Sequence, residues 1–306
     1  MKSCFLFPGQ GAQYPGMARD FFDASKSVRD LFALASEASK IDLRKLLFEG
    51  SEEELKQTRN TQVAVALAGA AAAFFAREQG FKSEGCAGFS VGEWPALAEA
   101  GVVSYEEMFR LVAERGRLMD EAGRRSGGST MSAVLALSPE AIEAAIAKAG
   151  LKQVWVANYN SPSQSVISGT EADVAAAEIA VKEAGARRAI RLKVSGAFHS
   201  PIMAYARDGF AEAVADAEFS DPRINFYSNV TGKRVATGAE LKRFAVEQIV
   251  SPVRWIDEEA AILADKPLCC AETGPGTVLA GLWKAVGGEV PCYAFGTLEQ
   301  MANVSL

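Results

Sequence analysis

Gly88-Phe89-Ser90-Val91-Gly92 sets a serine hydroxyl between two glycines at the end of a short apolar segment. Gly-x-Ser-x-Gly in that setting is how a strand-to-helix elbow exposes a nucleophilic serine, because the strained turn tolerates no bulky neighbours. The same residues carry a second meaning, since Ser90-Val91-Gly92-Glu93 is also Ser-x-x-Glu, the capping box that opens many ordinary helices. A serine hydroxyl is a weak nucleophile at neutral pH and needs a base, usually an imidazole. The chain has a single histidine, His199, in Gly196-Ala197-Phe198-His199-Ser200-Pro201. If Ser90 works through histidine, it works through His199; otherwise His199 is a satisfied core or loop residue. Its glycine-containing turn between a strand-like and a helix-like segment is a place that commonly carries function.

A third group stands out by position. The spacing predicts a helix from about Ser104 to Ala122 whose apolar stripe is Met108, Leu111, Val112, Leu118 and Met119, and Arg115 falls within that stripe. Either its stem packs and its head snorkels to water, or an unpaired guanidinium awaits an anion, and its planar fork suits a carboxylate.

The elements that must position these groups alternate. An apolar strand over residues 3–7 runs into Pro8-Gly9-Gln10-Gly11-Ala12-Gln13, a glycine-rich loop that lacks both the third glycine of a dinucleotide loop and the Gly-Lys-Ser/Thr of a P-loop. Helical patterns follow to about residue 80, and a short strand at 86–89 leads into Ser90. After the loop at 123–130 the order is strand 131–137, helix 139–149, strands 154–160 and 164–169, helix 171–184 and strand 188–194. This is β-α-β-β-α-β, the ferredoxin-like arrangement. Strands at 224–228, 268–272 and 292–295, with helices at 201–218, 239–250 and 277–286, then resume an α/β alternation that implies a mainly parallel sheet. The expected fold is α/β, with a large α/β-hydrolase-like subdomain (1–126 and 197–306) and an inserted ferredoxin-like small subdomain (127–196). Ser90 precedes the insert and His199 follows it, which predicts a site in the cleft between the two.

Composition narrows the class. The chain has 306 residues, 49% of them apolar and 23% charged, as expected of a globular protein with a substantial core. A net charge of −6 argues against a dedicated nucleic-acid binder. The apolar run Val63–Ala76 is short and alanine-rich, so a buried helix is expected and not a membrane span. The N-terminal residues lack a secretory signal, which predicts a cytoplasmic location. The five cysteines, Cys4, Cys86, Cys269, Cys270 and Cys292, contain no Cys-x-x-Cys and read as small buried hydrophobes, with no metal site expected.

Taken together, several motifs resemble those of bacterial malonyl-CoA:acyl-carrier-protein transacylases. They are Phe7-Pro8-Gly9-Gln10-Gly11-Ala12-Gln13, Thr61-Gln62, Gly88 through Glu93, Arg115-Gly116, Asn160-Ser161-Pro162, Gly196 through Ser200, Asn229-Val230-Thr231-Gly232, Gln248 with Pro252-Val253-Arg254-Trp255, and Glu272 through Gly276. The resemblance implies ping-pong transfer, in fatty-acid synthesis, of a malonyl group from malonyl-CoA to the phosphopantetheine thiol of acyl carrier protein through acyl-Ser90. It implies His199 as base, backbone N–H groups of Gln10 and Val91 as the oxyanion hole, the backbone carbonyl of Gln248 as the orienter of His199, and Arg115 as the ligand of the malonyl carboxylate. Gln62, Asn160 and Phe198 match pocket residues, although a local turn hydrogen bond would also account for Gln62 and Asn160. No bound cofactor is implied, and a monomer is expected.

Two positions depart from the family. Phe89 stands where histidine is usual, and Trp94 stands where tyrosine is frequent. Phe198 resembles the malonyl-selective pattern. Carrier proteins are acidic and so is this chain, so docking needs a local basic patch; Arg187, Arg188, Arg191 and Lys193 supply a candidate, and a solvated strand face is the competing account. The rival readings are a stand-alone acyltransferase serving a polyketide synthase, a serine thioesterase or hydrolase with Asp120 or Asp173 as triad acid, and an inactive module that binds carrier protein.

Overall fold

A computed structural model describes residues 3–286 and 288–304. Among the described residues ten strands form two sheets: β1 (Ser3–Phe7), β2 (Gly85–Gly88), β3 (Ser129–Leu135), β4 (Val154–Ser161), β5 (Gln164–Thr170), β6 (Arg188–Arg191), β7 (Asn225–Ser228), β8 (Lys233–Val235), β9 (Cys269–Glu272) and β10 (Cys292–Ala294). The larger sheet runs β10-β9-β1-β2-β7-β8. Its pairs are parallel except β7 with β8, which closes as a hairpin at the edge. Central strand β1, Ser-Cys-Phe-Leu-Phe, is buried at every position, the continuous apolar run expected of a strand covered on both faces.

The smaller sheet is antiparallel in the order β4-β5-β3-β6, the ferredoxin-like order for β-α-β-β-α-β. Its helices Pro139–Lys148 and Glu171–Glu183 enclose a core of Val134, Ile142, Val156, Ile167, Val174 and Val181. The opposite face, with Met131, Ala157 and Val166, joins the main core. Several contacts tie the smaller sheet to the main body. Val253 lies beside β4, its N–H donating to Ala157 O at 2.8 Å, and the Thr58 and Ser195 hydroxyls meet at 2.7 Å.

The alanine-rich run is the buried heart of the Thr58–Glu78 helix, and no helix among the described residues is long and apolar enough to cross a membrane. All five cysteines are free thiols, four of them buried and Cys292 partly so. Three expectations need correction. The helix foreseen from Pro201 to 218 is a 3-10 turn over Pro201–Met203 followed by a helix over Ala204–Val214. Strand β6 stops at Arg191; Leu192 N–H still donates to Met131 O at 2.9 Å, and Leu192 and Val194 line a cavity. Strand β8 and the helix Trp255–Ala264 were not foreseen: β8 is a three-residue polar edge, and Asp257, Glu258 and Glu259 interrupt the helix's apolar period. Glu258 and Glu259 are nonetheless fully buried.

Candidate active site

Strand β2 ends against β1, and Phe89 N–H donates to Phe7 O at 2.9 Å. The chain then reverses through Ser90, whose φ of 53° is left-handed, and continues as a 3-10 turn into the Glu93–Glu99 helix. The turn is too tight for flanking side chains. A Cβ on Gly88 would sit 2.0 Å from Gly92 O, and one on Gly92 would sit 2.1 Å from Phe7 O. Strain of this kind persists only where surrounding structure holds it, and it is concentrated at functional sites.

His199, itself at φ 57°, brings Nε2 to 2.7 Å from Ser90 Oγ. Its Nδ1 faces two backbone carbonyls, Gln248 O at 2.9 Å and Ser251 O at 3.1 Å. Both lie in the turn after the Gly238–Glu247 helix, where the last carbonyls lack intrahelical partners. Carbonyls only accept, so the proton sits on Nδ1 and the Nε2 lone pair faces the serine hydroxyl. Burial, followed by the charge of Arg115, pushes the imidazole down to about 4, against the pull of the two carbonyls. His199 is therefore held neutral, with its Nε2 lone pair toward Ser90 Oγ.

Arg115 is completely buried behind this pair. Nη1 donates to Gln62 Oε1 at 2.6 Å, Nη2 donates to Gln248 Oε1 at 2.9 Å, and Nη2 also lies 3.4 Å from Ser90 Oγ. Full burial removes the snorkelling alternative; the guanidinium is held by two neutral amides and by no counter-charge in direct contact among the described residues. Nε has no partner among them. Desolvation lowers its pKa to about 10, opposed by the charge of Glu93, so it stays a cation at neutral pH.

The site opens into a cavity of about 260 Å³ bordered by Ser90, Val91, His199, Gln10, Gln62, Asn160 and Phe198. A larger surface hollow of about 680 Å³, around Glu107 and Arg223, contains neither the serine nor the histidine. A neutral imidazole and a buried guanidinium thus converge on the Ser90 hydroxyl oxygen beside a partly apolar cavity, an arrangement chemically suited to transfer of an anionic acyl group.

Comparison with known proteins decides the lineage. The acyl transferase domain family matches residues 4–289. A malonyl CoA-acyl carrier protein transacylase of Bacillus subtilis is 37% identical over 300 residues, 97% of this chain and 94% of that one. The chain belongs to the malonyl CoA-acyl carrier protein transacylase family. Among solved structures, an acyl carrier protein S-malonyltransferase of Vibrio cholerae superposes with a TM-score of 0.95 at 36% identity, covering both chains fully. A malonyl-transacylase in complex with its type II polyketide acyl-carrier protein gives 0.93 at 34%, over 99% of this chain and 98% of that one.

Within this transacylase-family site, the carboxylate of a hydrolase triad is absent from its usual place, because the Gln248 and Ser251 carbonyls occupy the Nδ1 side of His199. Asp120 instead pairs with Arg124 at 3.1 Å, and Asp173 accepts from the N–H groups of Lys152 and Gln153. Phe89 stacks obliquely on Trp255 with ring centroids 5.6 Å apart, and Trp94 is buried edge-on to Phe210, so both departures are absorbed by aromatic packing. Gln248 is the first residue past its helix, not a residue within it.

The basic patch divides in two. Arg191 turns to the helix-covered face and pairs with Glu178 at 2.9 Å and Glu171 at 3.5 Å. Arg188 lies opposite Leu135 and Ile190 opposite Ala133; Ala133 lines the cavity, and opposed residues of an antiparallel pair share a face. Arg188 therefore stands on the cleft face, while Arg187 and Lys193 are exposed. The capping-box reading of Ser90 and Glu93 fails, because neither the 3-10 turn nor the helix after it has a side-chain cap and Glu93 accepts from Asn229 N–H and Gln248 Nε2 instead; Asn229 carried no role in the sequence. Yet Asn229 Oδ1 accepts from Ser90 N–H at 2.8 Å, and Nδ2 donates to Gly88 O at 2.6 Å and to Glu258 at 2.8 Å. One amide thus clamps both sides of the elbow.

Proposed function

We propose that this chain transfers a malonyl group from malonyl-CoA to the phosphopantetheine thiol of an acyl carrier protein, in fatty-acid synthesis, through an ester on Ser90. The observation that carries the reading is the convergence on Ser90 Oγ of His199 Nε2 at 2.7 Å and Arg115 Nη2 at 3.4 Å.

In the first half-reaction His199 takes the hydroxyl proton as Ser90 Oγ attacks the thioester carbonyl. Backbone N–H groups of Gln10 and Val91 receive the oxyanion, a contribution of about 10²- to 10³-fold per donor in comparable sites. The carbon–sulfur bond breaks and the imidazolium returns its proton to the departing CoA thiolate. In the second half-reaction the carrier thiol gives its proton to His199 and attacks the Ser90 ester, and the same proton returns to Ser90. The neutral state of His199 supports its role as base in both directions. Gln248 and Ser251 carbonyls support its orientation, and the chemistry calls for no metal or bound cofactor.

Arg115 is assigned to the malonyl carboxylate, with Gln62, Asn160 and Phe198 shaping the acyl pocket. Its unpartnered Nε beside Nη2 supports a forked carboxylate contact. The division into 1–126 with 197–306, and 127–196, belongs to the same reading, because the nucleophile and the base come from opposite sides of the insert. So do a monomeric state and a cytoplasmic location, the latter supported by five free thiols. Arg187, Arg188 and Lys193 are the proposed docking cations for the acidic carrier. A polyketide carrier is the second reading, favoured by the structural likeness to a transacylase bound to a type II polyketide carrier; the kcat/KM ratio for the two carrier types separates them.

The substrate assignment is tested with Arg115→Ala. Malonyl transfer should fall by about 10²- to 10³-fold, while acetyl transfer changes by less than about threefold. Equal losses on the two acyl groups would remove Arg115 from the role.

A further inference from the structure

Beneath the elbow lies a buried chain of polar side chains that the reaction steps above do not use. The Gln248 side chain spans two opposite charges: Oε1 accepts from Arg115 Nη2 at 2.9 Å, and Nε2 donates to a carboxylate oxygen of Glu93 and to Ser90 O at 3.1 Å. The other Glu93 oxygen accepts from Asn229 N–H at 2.8 Å. Asn229 Nδ2 in turn donates to Glu258 Oε1, and Glu258 Oε2 has no partner. Glu93 and Glu258 are both buried, Glu258 completely.

Counting charge gives this chain a meaning. Arg115, from the Tyr105–Arg125 helix, is the cation facing Glu93, and Glu258, from the Trp255–Ala264 helix, is the acid facing it. Ser228 and Gln248 present only neutral donors, and His199 lies beyond Arg115 and is neutral. Glu93 meets donors at both oxygens, which favours its charged form; Glu258 has an orphan oxygen, and burial together with the facing carboxyls of Glu93, Glu259 and Asp257 raises its pKa well above the ordinary carboxylate range. Asn229 and Gln248 donate to different oxygens of Glu93, so an amide at position 93 would set its NH2 group against one of these donors.

We propose that Glu93 is the resident counter-anion of Arg115, linked to it through the Gln248 amide, and that a carboxylate-bearing acyl group arriving on Arg115 drives a proton from solvent onto the Glu93–Glu258 pair. The inference rests on the reading that Arg115 receives the malonyl carboxylate. A second anion at Arg115 competes for the one positive charge that faces Glu93 among the described residues, and in a dry interior the cheaper outcome is to neutralise the resident carboxylate. Burial already holds Glu93 up at about 7, against the downward pull of its donors and Arg115. The step forms one carboxyl O–H bond as the O–H or N–H bond of a buffer acid breaks and leaves its conjugate base in solution; no carbon bond changes. Acetyl groups carry no charge and drive no uptake, so proton uptake becomes a signature of acyl selection.

The test uses full-length Ser90→Ala protein, in which transfer is blocked, titrated calorimetrically with malonyl-CoA and with acetyl-CoA at about pH 7.5 in two buffers of different ionisation enthalpy. Acetyl-CoA subtracts any proton linked to the CoA phosphates. The expected result is an excess uptake with malonyl-CoA of at least about 0.3 proton per site, as a carboxyl near 7 rising by one unit or more would give, and loss of that excess in Glu93→Gln. Equal uptake for both ligands, with malonyl-CoA still binding through Arg115 as judged by Arg115→Ala, overturns the inference and spares the function. Malonyl-CoA binding that is no tighter than acetyl-CoA and indifferent to Arg115→Ala overturns the function reading instead. Should Glu93→Gln not fold, an infrared difference spectrum of the Ser90→Ala protein decides. A new protonated-carboxyl band with malonyl-CoA and none with acetyl-CoA supports the proposal, and its absence overturns it.

Discussion

His199 shows how two opposing effects set one residue's chemistry. Desolvation and the neighbouring guanidinium lower its pKa to about 4, and the Gln248 and Ser251 carbonyls hold it in the tautomer that faces Ser90. The acid limb of kcat/KM for malonyl-CoA should therefore fall as pH approaches about 4, well below the ordinary imidazole range. A limb centred near about 6.5 would contradict this. Stability follows with a definite sign. Between about 4 and 6.5 the unfolded chain binds a proton at this residue that the folded chain refuses, so the His199 contribution becomes more unfavourable as pH falls through that window. Chemical denaturation of the protein and of His199→Gln across the window measures it: the variant should lose less stability on acidification.

Elements decide whether the serine is presented at all. The Ser90 turn needs glycine at 88 and 92 because backbone carbonyls occupy the space of any Cβ, so Gly92→Ala should lose at least about 2 kcal/mol by urea unfolding, with malonylation slowed in the molecules that remain folded. A full-strength variant would show that the elbow can relax. The elbow was legible in the sequence because glycine, serine and alternating apolar segments carry their geometry locally, and so was the ferredoxin-like order of the insert. The Asn229 clamp and its Glu258 support were not legible. Asn229 reaches Ser90 across 139 positions of sequence, and Glu258 sits in Trp-Ile-Asp-Glu-Glu, which reads as a solvated helix face until packing buries it. Arg115 lies between these cases: its place in an apolar stripe marked it, but the two glutamines that hold it come from sequence-distant helices and turns.

At the scale of the whole molecule, Ser90, Arg115 and His199 meet outside the insert, and the inserted sheet is tied back over them through Val253 and through the Thr58–Ser195 contact. The same sheet separates cations that look equivalent in sequence. Arg188 shares the cleft face with the cavity wall, whereas Arg191 is bound to Glu178 and Glu171 on the far side. Arg188→Glu should raise the apparent KM for carrier protein by about tenfold and leave that for malonyl-CoA unchanged, while Arg191→Glu leaves both close to wild type; the reverse order would move the docking surface to the helical face. The central claim, that Ser90 carries the acyl group, is tested most directly by weighing the intact protein after incubation with malonyl-CoA, beside Ser90→Ala. The account predicts a gain of one malonyl group that is lost on adding carrier protein and never appears in the variant. An unchanged mass, or a malonyl adduct that persists without Ser90, would contradict it.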